Sequence, residues 1–322
     1  MEETLPQYET LKTQEQDVYD LIILGAGPAG LSAGICAGRA KLKTLICDKA
    51  LPGGEASTSY KIDNLLGYPG GILGEDLAKR MEDHMYTFKD VEYTCELIEK
   101  FENATSPIKK VVTQLGHTFK AKSIIIALGL KPKKLDKRFE SQFLGRGISY
   151  FAQCDVEAYK DQDVAVIGGG NCACYAADYL SQFVNKVFLI HRSNQLKAVK
   201  NLKEKILNNP KIDLIWDSEV TDVFGLEKVE KLKITHNITN QHTWIDVKGI
   251  FVYKARIPSK AIQQFGVDLD EKGYIITDEY MRTNIPCIFA AGDIRSKQIR
   301  QIATAISDGM IAAINAEREI TR

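Results

Sequence analysis

The chain has 322 residues, 44% of them hydrophobic, 26% charged and 8% aromatic, with 42 basic residues against 42 acidic ones. This is the composition of a globular protein, and it excludes a disordered chain, a collagen or a disulfide-stapled mini-protein. With no net charge there is no basic field to attract nucleic acid or an anionic membrane. The length is about twice that of a usual single domain, so two domains are expected. Seven cysteines form an odd set in a long chain, which points to reduced thiols and a cytoplasmic setting.

In chain order, the first twenty residues carry six acids and one basic residue, Lys12. That is the opposite of a secretory n-region or a basic transit peptide, and residues 1–17 read as an N-terminal extension. Leu21 to Gly38 has no charge and approaches membrane-spanning length, but five of its residues are glycine and one is proline. It reads better as a strand, a tight turn and a buried helix. Val18 to Leu24 is the strand, Gly25-Ala26-Gly27-Pro28-Ala29-Gly30 the turn, and Ala29 to Arg39 the helix. Leu42 to Cys47 follows as a second buried strand that stops at Asp48. Leu51-Pro52-Gly53-Gly54-Glu55 is then a turn that exposes backbone.

The pattern recurs. Val164 to Ile167 runs into Gly168-Gly169-Gly170-Asn171-Cys172-Ala173, a helix extends through Tyr179, and a strand from Val187 to Ile190 stops at His191. Gly25 to Gly168, Gly30 to Ala173 and Asp48 to His191 are each 143 residues apart. Two β-turn-α-β units of equal internal spacing are the context that a dinucleotide fingerprint requires. The first glycine makes the turn and the second lets the backbone approach a pyrophosphate. The third lets helix and strand pack, while the helix N-terminus supplies amide donors.

The strand ends separate two ligands. Asp48 can accept from ribose hydroxyls and would repel a 2′-phosphate. His191-Arg192 puts a guanidinium where such a phosphate would sit, with Lys197 six residues after His191. The first unit therefore reads as a site for an adenine dinucleotide with a free ribose, and the second as a site for NADP(H). Two dinucleotides on one chain suggest a flavin meeting a nicotinamide. Near the C-terminus, Ile288 to Ala291 is a buried strand ending in Gly292-Asp293, and a helix runs from Gln301 onward. An aspartate so placed can accept from the flavin's ribityl chain.

These motifs resemble the low-molecular-weight thioredoxin reductases. Gly25-x-Gly27-x-x-Gly30, Gly53-Gly54, Asn64 with Gly67-Tyr68-Pro69, and Gly292-Asp293 to Arg300-Gln301 carry the likeness. So do Gly145-Arg146-Gly147-Ile148-Ser149-Tyr150, Cys154-Asp155, Gly168-Gly169-Gly170-Asn171 and His191-Arg192. The match runs in order from about Tyr19 to Ala316. It implies FAD held by the N- and C-terminal segments, NADPH held by an inserted middle domain that rotates, and a homodimer. Residue by residue, it places Pro28, Ala29, Lys49, Glu55, Asn64, Ala127, Gly129, Arg300, Gln301 and Ile302 at FAD, beside the glycines and aspartates above. It places Gly168, Gly170, Asn171, Cys172 and Ala173 at NADP(H), with His191, Arg192 and Lys197.

The departures matter as much. The family has Cys-x-x-Cys directly after the Gly-Arg-Gly-x-Ser-x segment, whereas this chain reads Phe151-Ala152-Gln153-Cys154. No C-x-x-C exists among Cys36, Cys47, Cys95, Cys154, Cys172, Cys174 and Cys287. Phenylalanine cannot form the disulfide, so dithiol exchange within the chain is lost at this site. The family's paired arginines become Arg192-Ser193 and a later arginine becomes Lys197, which keeps charge but loses the bidentate fork. Lys254-Ala255-Arg256-Ile257-Pro258 stands where the family has a glycine-containing turn. Leu128 replaces a threonine and Glu55 a glutamine.

The expected fold is α/β, with two Rossmann-like dinucleotide-binding domains, the second inserted into the first. Residues 1–135 and 261–322 are assigned to FAD, and 136–260 to NAD(P)H. The expected function is flavin-mediated electron transfer from NADPH to a small-molecule or small redox-protein acceptor: a disulfide, a peroxide, oxygen, free flavin or ferredoxin. Cys154 is the catalytic candidate, either as a single reactive thiol or as an inert remnant. The alternative is a redox sensor that binds both nucleotides with little turnover. No nucleic acid, membrane or metal is expected, since His84, His117, His236 and His242 lie on no ligand spacing. Cys172 and Cys174 are read as small buried residues that diverge on one helix.

Overall fold

A computed structural model describes residues 18–321, apart from the side chains of residues 154, 260 and 261. The expected N-terminal extension, residues 1–17, lies outside the described residues. The described residues divide into two compact units, one up to residue 131 with 258 onward and one of residues 132–257. The two boundaries fall a few residues before the expected 135/136 and 260/261.

The first unit begins with strand β1 (Val18–Leu24), helix α1 (Pro28–Arg39) and strand β2 (Thr44–Cys47). A 3₁₀ turn at Gly54–Ala56 leads to helix α2 (Gly74–Met85). Strands β3 (Val91–Thr94), β4 (Ile98–Glu102), β5 (Lys109–Thr113) and β6 (Thr118–Ile126) follow, then the two-residue strand β7 (Lys131–Pro132). The sheet order is β3-β2-β1-β6-β5-β4. β1, β2, β3 and β6 are parallel, and β4 and β5 form an antiparallel edge. Leu21 to Leu24 and Ile124 to Ile126 have no exposed surface, as expected of parallel strands covered on both faces. β2 starts at Thr44, two residues later than the apolar run suggests, because Leu42 closes the turn out of α1 through its amide to the Ala37 carbonyl at 3.0 Å.

The second unit contains α3 (Lys137–Phe143), β8 (Ile148–Ser149), α4 (Ala152–Asp155), β9 (Asp163–Ile167), α5 (Asn171–Leu180) and β10 (Lys186–Ile190). It continues with α6 (Lys200–Leu207), β11 (Ile212–Ile215), β12 (Ser218–Phe224), β13 (Lys231–His236), β14 (His242–Asp246), β15 (Gly249–Val252) and β16 (Arg256–Ile257). A parallel sheet runs in the order β11-β10-β9-β15-β8, beside an antiparallel meander of β12, β13 and β14. The buried side chains lie in two clusters on this unit, one around Val164, Val166 and Leu189, the other around Ile148, Ile167 and Ile250.

The returning segment completes the first unit with strand β17 (Ile288–Ala290) and helix α7 (Ile302–Ile320). β17 pairs in parallel with the C-terminal half of β6, opposite β1, so residues 164 positions apart share one sheet. α7 packs against α1 through small residues: a Cβ on Gly309 would lie 2.1 Å from the Ala29 carbonyl oxygen. The two Rossmann-like units match the α/β expectation. No described helix is long and apolar enough to cross a membrane.

Candidate functional site

In the first unit, β1 ends in a turn that only glycine can make. Gly25 has φ +106°, and a Cβ there would lie 2.4 Å from the Ala127 carbonyl oxygen. Gly30 sits under the turn, where a Cβ would lie 1.8 Å from the Gly25 carbonyl oxygen. Gly27 differs from both. It is the extended N-cap of α1, Pro28 follows it at the first helical position, and the only atom near its missing Cβ is the Gly54 Cα at 3.9 Å. Gly53 and Gly54 both have positive φ, so two side-chain-free backbones face each other at the positive end of α1.

Asp48 stands at the end of β2. Its Oδ2 accepts from the Ala26 amide at 2.7 Å and its Oδ1 from the Lys49 amide at 2.6 Å. The carboxylate is thereby fixed against the glycine turn while remaining half-buried, and Lys49 itself is exposed. Glu55 lies in the 3₁₀ turn beside it. Ala127 is buried under the first glycine, and Gly129 turns the chain with φ +57°.

The C-terminal segment reaches the same end of the sheet. Gly292 has φ +79° and opens a 3₁₀ turn that contains Asp293. Arg300 does not reach outward with its whole fork: its Nε donates to the Asp293 carbonyl at 3.1 Å and its Nη2 to the Arg295 carbonyl at 3.0 Å. The guanidinium lies 4.0 Å from the centre of the Tyr274 ring. Gln301 is the N-cap of α7, in a reciprocal capping box with Thr304, and Ile302 is the first helical residue. Gln301 Oε1 also accepts from Asn64 Nδ2 at 2.9 Å, which joins two expected site residues 237 positions apart.

The second unit repeats the turn with different furniture. Gly168 has φ +145°, and a Cβ there would lie 2.4 Å from the Tyr253 carbonyl oxygen. Gly170 is the N-cap of α5, with nothing within 4 Å of its missing Cβ. Asn171 Oδ1 accepts from the Val199 amide at 2.9 Å, and the Lys197 amide donates to the Gly169 carbonyl at 2.6 Å. The segment after β10 is therefore tied over the glycine turn, which brings Arg192 and Lys197, both exposed, to its rim.

His191 is not a solvated strand end. It is 7% exposed, and its ring occupies the place of a Gly169 Cβ, which would lie 2.4 Å from Nδ1. Ser193 Oγ lies 2.9 Å from Nε2, so the serine that replaces an arginine of the family partners the imidazole. Burial, and then the charges of Lys197 and Arg192, hold the ring's pKa below its ordinary 6.5. The neutral ring therefore supports the fold above pH about 6.5, and that support is lost as pH falls through the lower folded value. Melting temperature is expected to fall between pH about 7.5 and about 5.5, and His191→Asn should flatten that dependence. Equal slopes in the two proteins would contradict this account of the ring.

Ala173 is fully buried, whereas Cys172 is exposed, against the expectation that both helix cysteines are buried. The physical reason is position. α5 begins at Asn171, so Cys172 lies in a first turn that no earlier turn covers, while Cys174 faces the sheet. Cys154 lies on α4, and its side chain lies outside the described residues. Phe151, the N-cap of α4, is 48% exposed, and its amide donates to Ser149 Oγ at 2.9 Å. Among the described residues no three His, Cys, Asp or Glu side chains converge in a metal-binding group.

Two strand-turn-helix units, each with a polar residue fixed at the second strand end, are nucleotide-binding architecture. The chain belongs to the pyridine nucleotide-disulphide oxidoreductase family, which it matches over residues 19–309. It is similar to a thioredoxin reductase of Listeria innocua, at 38% identity over 310 residues and 95% of each chain. It is equally similar to a 34.2 kDa protein in a rubredoxin operon of Clostridium pasteurianum, at 38% identity over 307 residues, covering 95% of this chain and 99% of that one. The crystal structure of Lactococcus lactis thioredoxin reductase in its FR conformation superposes with a TM-score of 0.89 at 36% identity, covering 94% of this chain and 99% of that one.

Proposed function

We propose that the chain is an FAD-dependent oxidoreductase that moves electrons from NADPH to an acceptor without an internal dithiol. The observation that carries this reading is the duplicated glycine turn with opposite charge at its rim: the Asp48 carboxylate in one unit, the Arg192 and Lys197 cations in the other. The residues of the first unit fit FAD. Gly27 and Gly54 leave a backbone cradle that side chains would fill, and Asp48 has acceptor capacity for ribose hydroxyls. Asp293 stands by the α7 N-terminus, where Asn64 and Gln301 hold the adjoining loop in place. Bound FAD would supply the change between two-electron and one-electron transfer that neither unit's side chains provide.

The work of the protein's own residues is to bind and orient. Arg192 and Lys197 select the 2′-phosphate, and His191 with Ser193 buttresses the glycine turn on which the pyrophosphate would rest. In this reading residues 1–135 and 261–322 hold FAD, residues 136–260 hold NADPH, and the enzyme works as a cytoplasmic homodimer. The acceptor is a small molecule or a small redox protein. A one-electron protein partner suits the missing dithiol and accords with the rubredoxin-operon setting of one relative. In this reading Cys154 acts as a single thiol that exchanges with a small disulfide or is oxidised by a peroxide.

Purified protein is expected to be yellow, with roughly one FAD per chain. Colourless protein that cannot be reconstituted with FAD would overturn the proposal. NADPH is expected to bind more tightly than NADH, and Arg192→Ala should remove that preference. One charge-assisted contact contributes about 1.5–3 kcal/mol, so discrimination should fall roughly tenfold or more. Titration of wild type and variant with both nucleotides decides the point, and equal wild-type affinities would contradict it.

A further inference from the structure

Behind the Gly292–Asp293 turn lies a cluster of charged side chains formed by Asp293, Arg295, Lys297 and Asp308. Asp308, on the second turn of α7, accepts from the Gly292 amide at 3.0 Å and from Lys297 Nζ at 2.8 Å through Oδ2. Its Oδ1 receives Arg295 Nη1 at 2.8 Å. All three side chains are nearly buried, at 10% exposure for Asp308, 11% for Arg295 and 13% for Lys297. The Lys297 ammonium also lies 4.0 Å from Asp293 Oδ1. Two anions and two cations therefore balance, with Lys297 between the two carboxylates.

Charges as buried as those of Asp308, Arg295 and Lys297 hold their positions only when each has a partner of good geometry, so these three have little freedom to move, while the Asp293 side chain is 36% exposed. It grips the turn at both ends. Asp308 holds the Gly292 amide by a hydrogen bond at 3.0 Å, and the Lys297 ammonium faces Asp293 Oδ1 across 4.0 Å as an ion pair without a hydrogen bond. Packing adds a third restraint, because Gly292 and Gly309 both close on Ala29 at the start of α1, where added Cβ atoms would lie 2.9 Å from its Cβ and 2.1 Å from its carbonyl oxygen.

We infer that Lys297 and Asp308 are positioning residues for the flavin: Asp308 sets the turn through the Gly292 amide, and Lys297 aims Asp293 at the ribityl chain. This rests on the reading that Asp293 meets FAD. The cluster also sets the field at that end of the flavin. Removing the Lys297 charge leaves the neighbouring carboxylates less compensated, which disfavours the more negative reduced flavin.

The test uses purified holoprotein of wild type, Lys297→Met, Lys297→Arg and Asp308→Asn. The readouts are FAD affinity and the midpoint potential of the bound flavin. Lys297→Met should weaken FAD binding about tenfold and lower the midpoint potential, and Lys297→Arg should restore both. A purely structural lysine would not give a charge-dependent potential. Asp308→Asn should also weaken FAD binding; if that variant fails to fold, the Lys297 pair still decides. Wild type that holds FAD, with Lys297→Met unchanged in affinity and potential, would overturn the inference. Wild type that never binds FAD would overturn the proposed function itself.

Discussion

Gly27→Val is expected to give a folded, colourless protein, while Gly30→Ala gives an unstable one. The two glycines belong to one motif, but they are glycine for different reasons. At Gly30 an added Cβ would lie 1.8 Å from the Gly25 carbonyl oxygen, inside the turn itself. Relief requires the backbone to move, and overpacking of this kind costs about 1–3 kcal/mol or more. At Gly27 the backbone is extended, with φ −77° and ψ −177°, a conformation that valine adopts readily. Around a Cβ at this position only the Gly54 Cα lies within 4 Å, at 3.9 Å, so a side chain can begin there without a clash. The crowding falls on the proposed pyrophosphate. Flavin absorbance and thermal melts of the two variants check this, and Gly27→Val protein that keeps its full complement of FAD would refute the assigned cradle.

Wild-type protein is expected to show no NADPH-dependent reduction of a standard thioredoxin. The chain reads Phe151-Ala152-Gln153-Cys154 where the family has its cysteine pair, and thiol–disulfide exchange through one chain needs two sulfurs to carry the electron pair onward. Phe151 caps the short helix α4 with its side chain 48% exposed, so a smaller residue there opens no cavity in the core. Phe151→Cys should therefore fold and is the direct test of how much activity the missing sulfur accounts for. Cys154→Ser addresses the remaining thiol: unchanged turnover with every acceptor would leave the flavin as the single redox centre. Robust thioredoxin reduction by wild type would contradict the proposal.

What the sequence reveals of this fold depends on the reach of each constraint. Gly25, Gly30 and Gly168 are legible because their positive φ or their contacts within one turn exclude any side chain, so the residue type itself records the geometry. The repeat at a spacing of 143 residues is legible for the same local reason. Lys297 and Asp308 are not, because a lysine in a loop and an aspartate in a helix look like ordinary surface charges until the turn folds back on α7. At Arg300 the motif supplies the residue but not its partners, since Nε and Nη2 donate to two carbonyls and the guanidinium face lies over Tyr274. His191 was legible as a strand end but not as a buried ring, since Gly169 meets it only after β9 and β10 pair. Ser193 gave a signal that could have been read. A hydroxyl two residues after a histidine at a strand end suits a partner for the imidazole rather than a phosphate ligand.

In the proposed reaction electrons pass from NADPH to a bound flavin and leave without a dithiol relay. Anaerobic rapid mixing of FAD-replete protein with NADPH, followed at the flavin absorbance and then exposed to a panel of disulfide, peroxide, oxygen, flavin and iron–sulfur protein acceptors, tests it most directly. NADPH is expected to bleach the flavin rapidly, with recovery over many turnovers with at least one acceptor and none with oxidised thioredoxin. Stable NADPH binding that leaves the flavin oxidised would contradict it and mark the protein as a nucleotide-binding sensor.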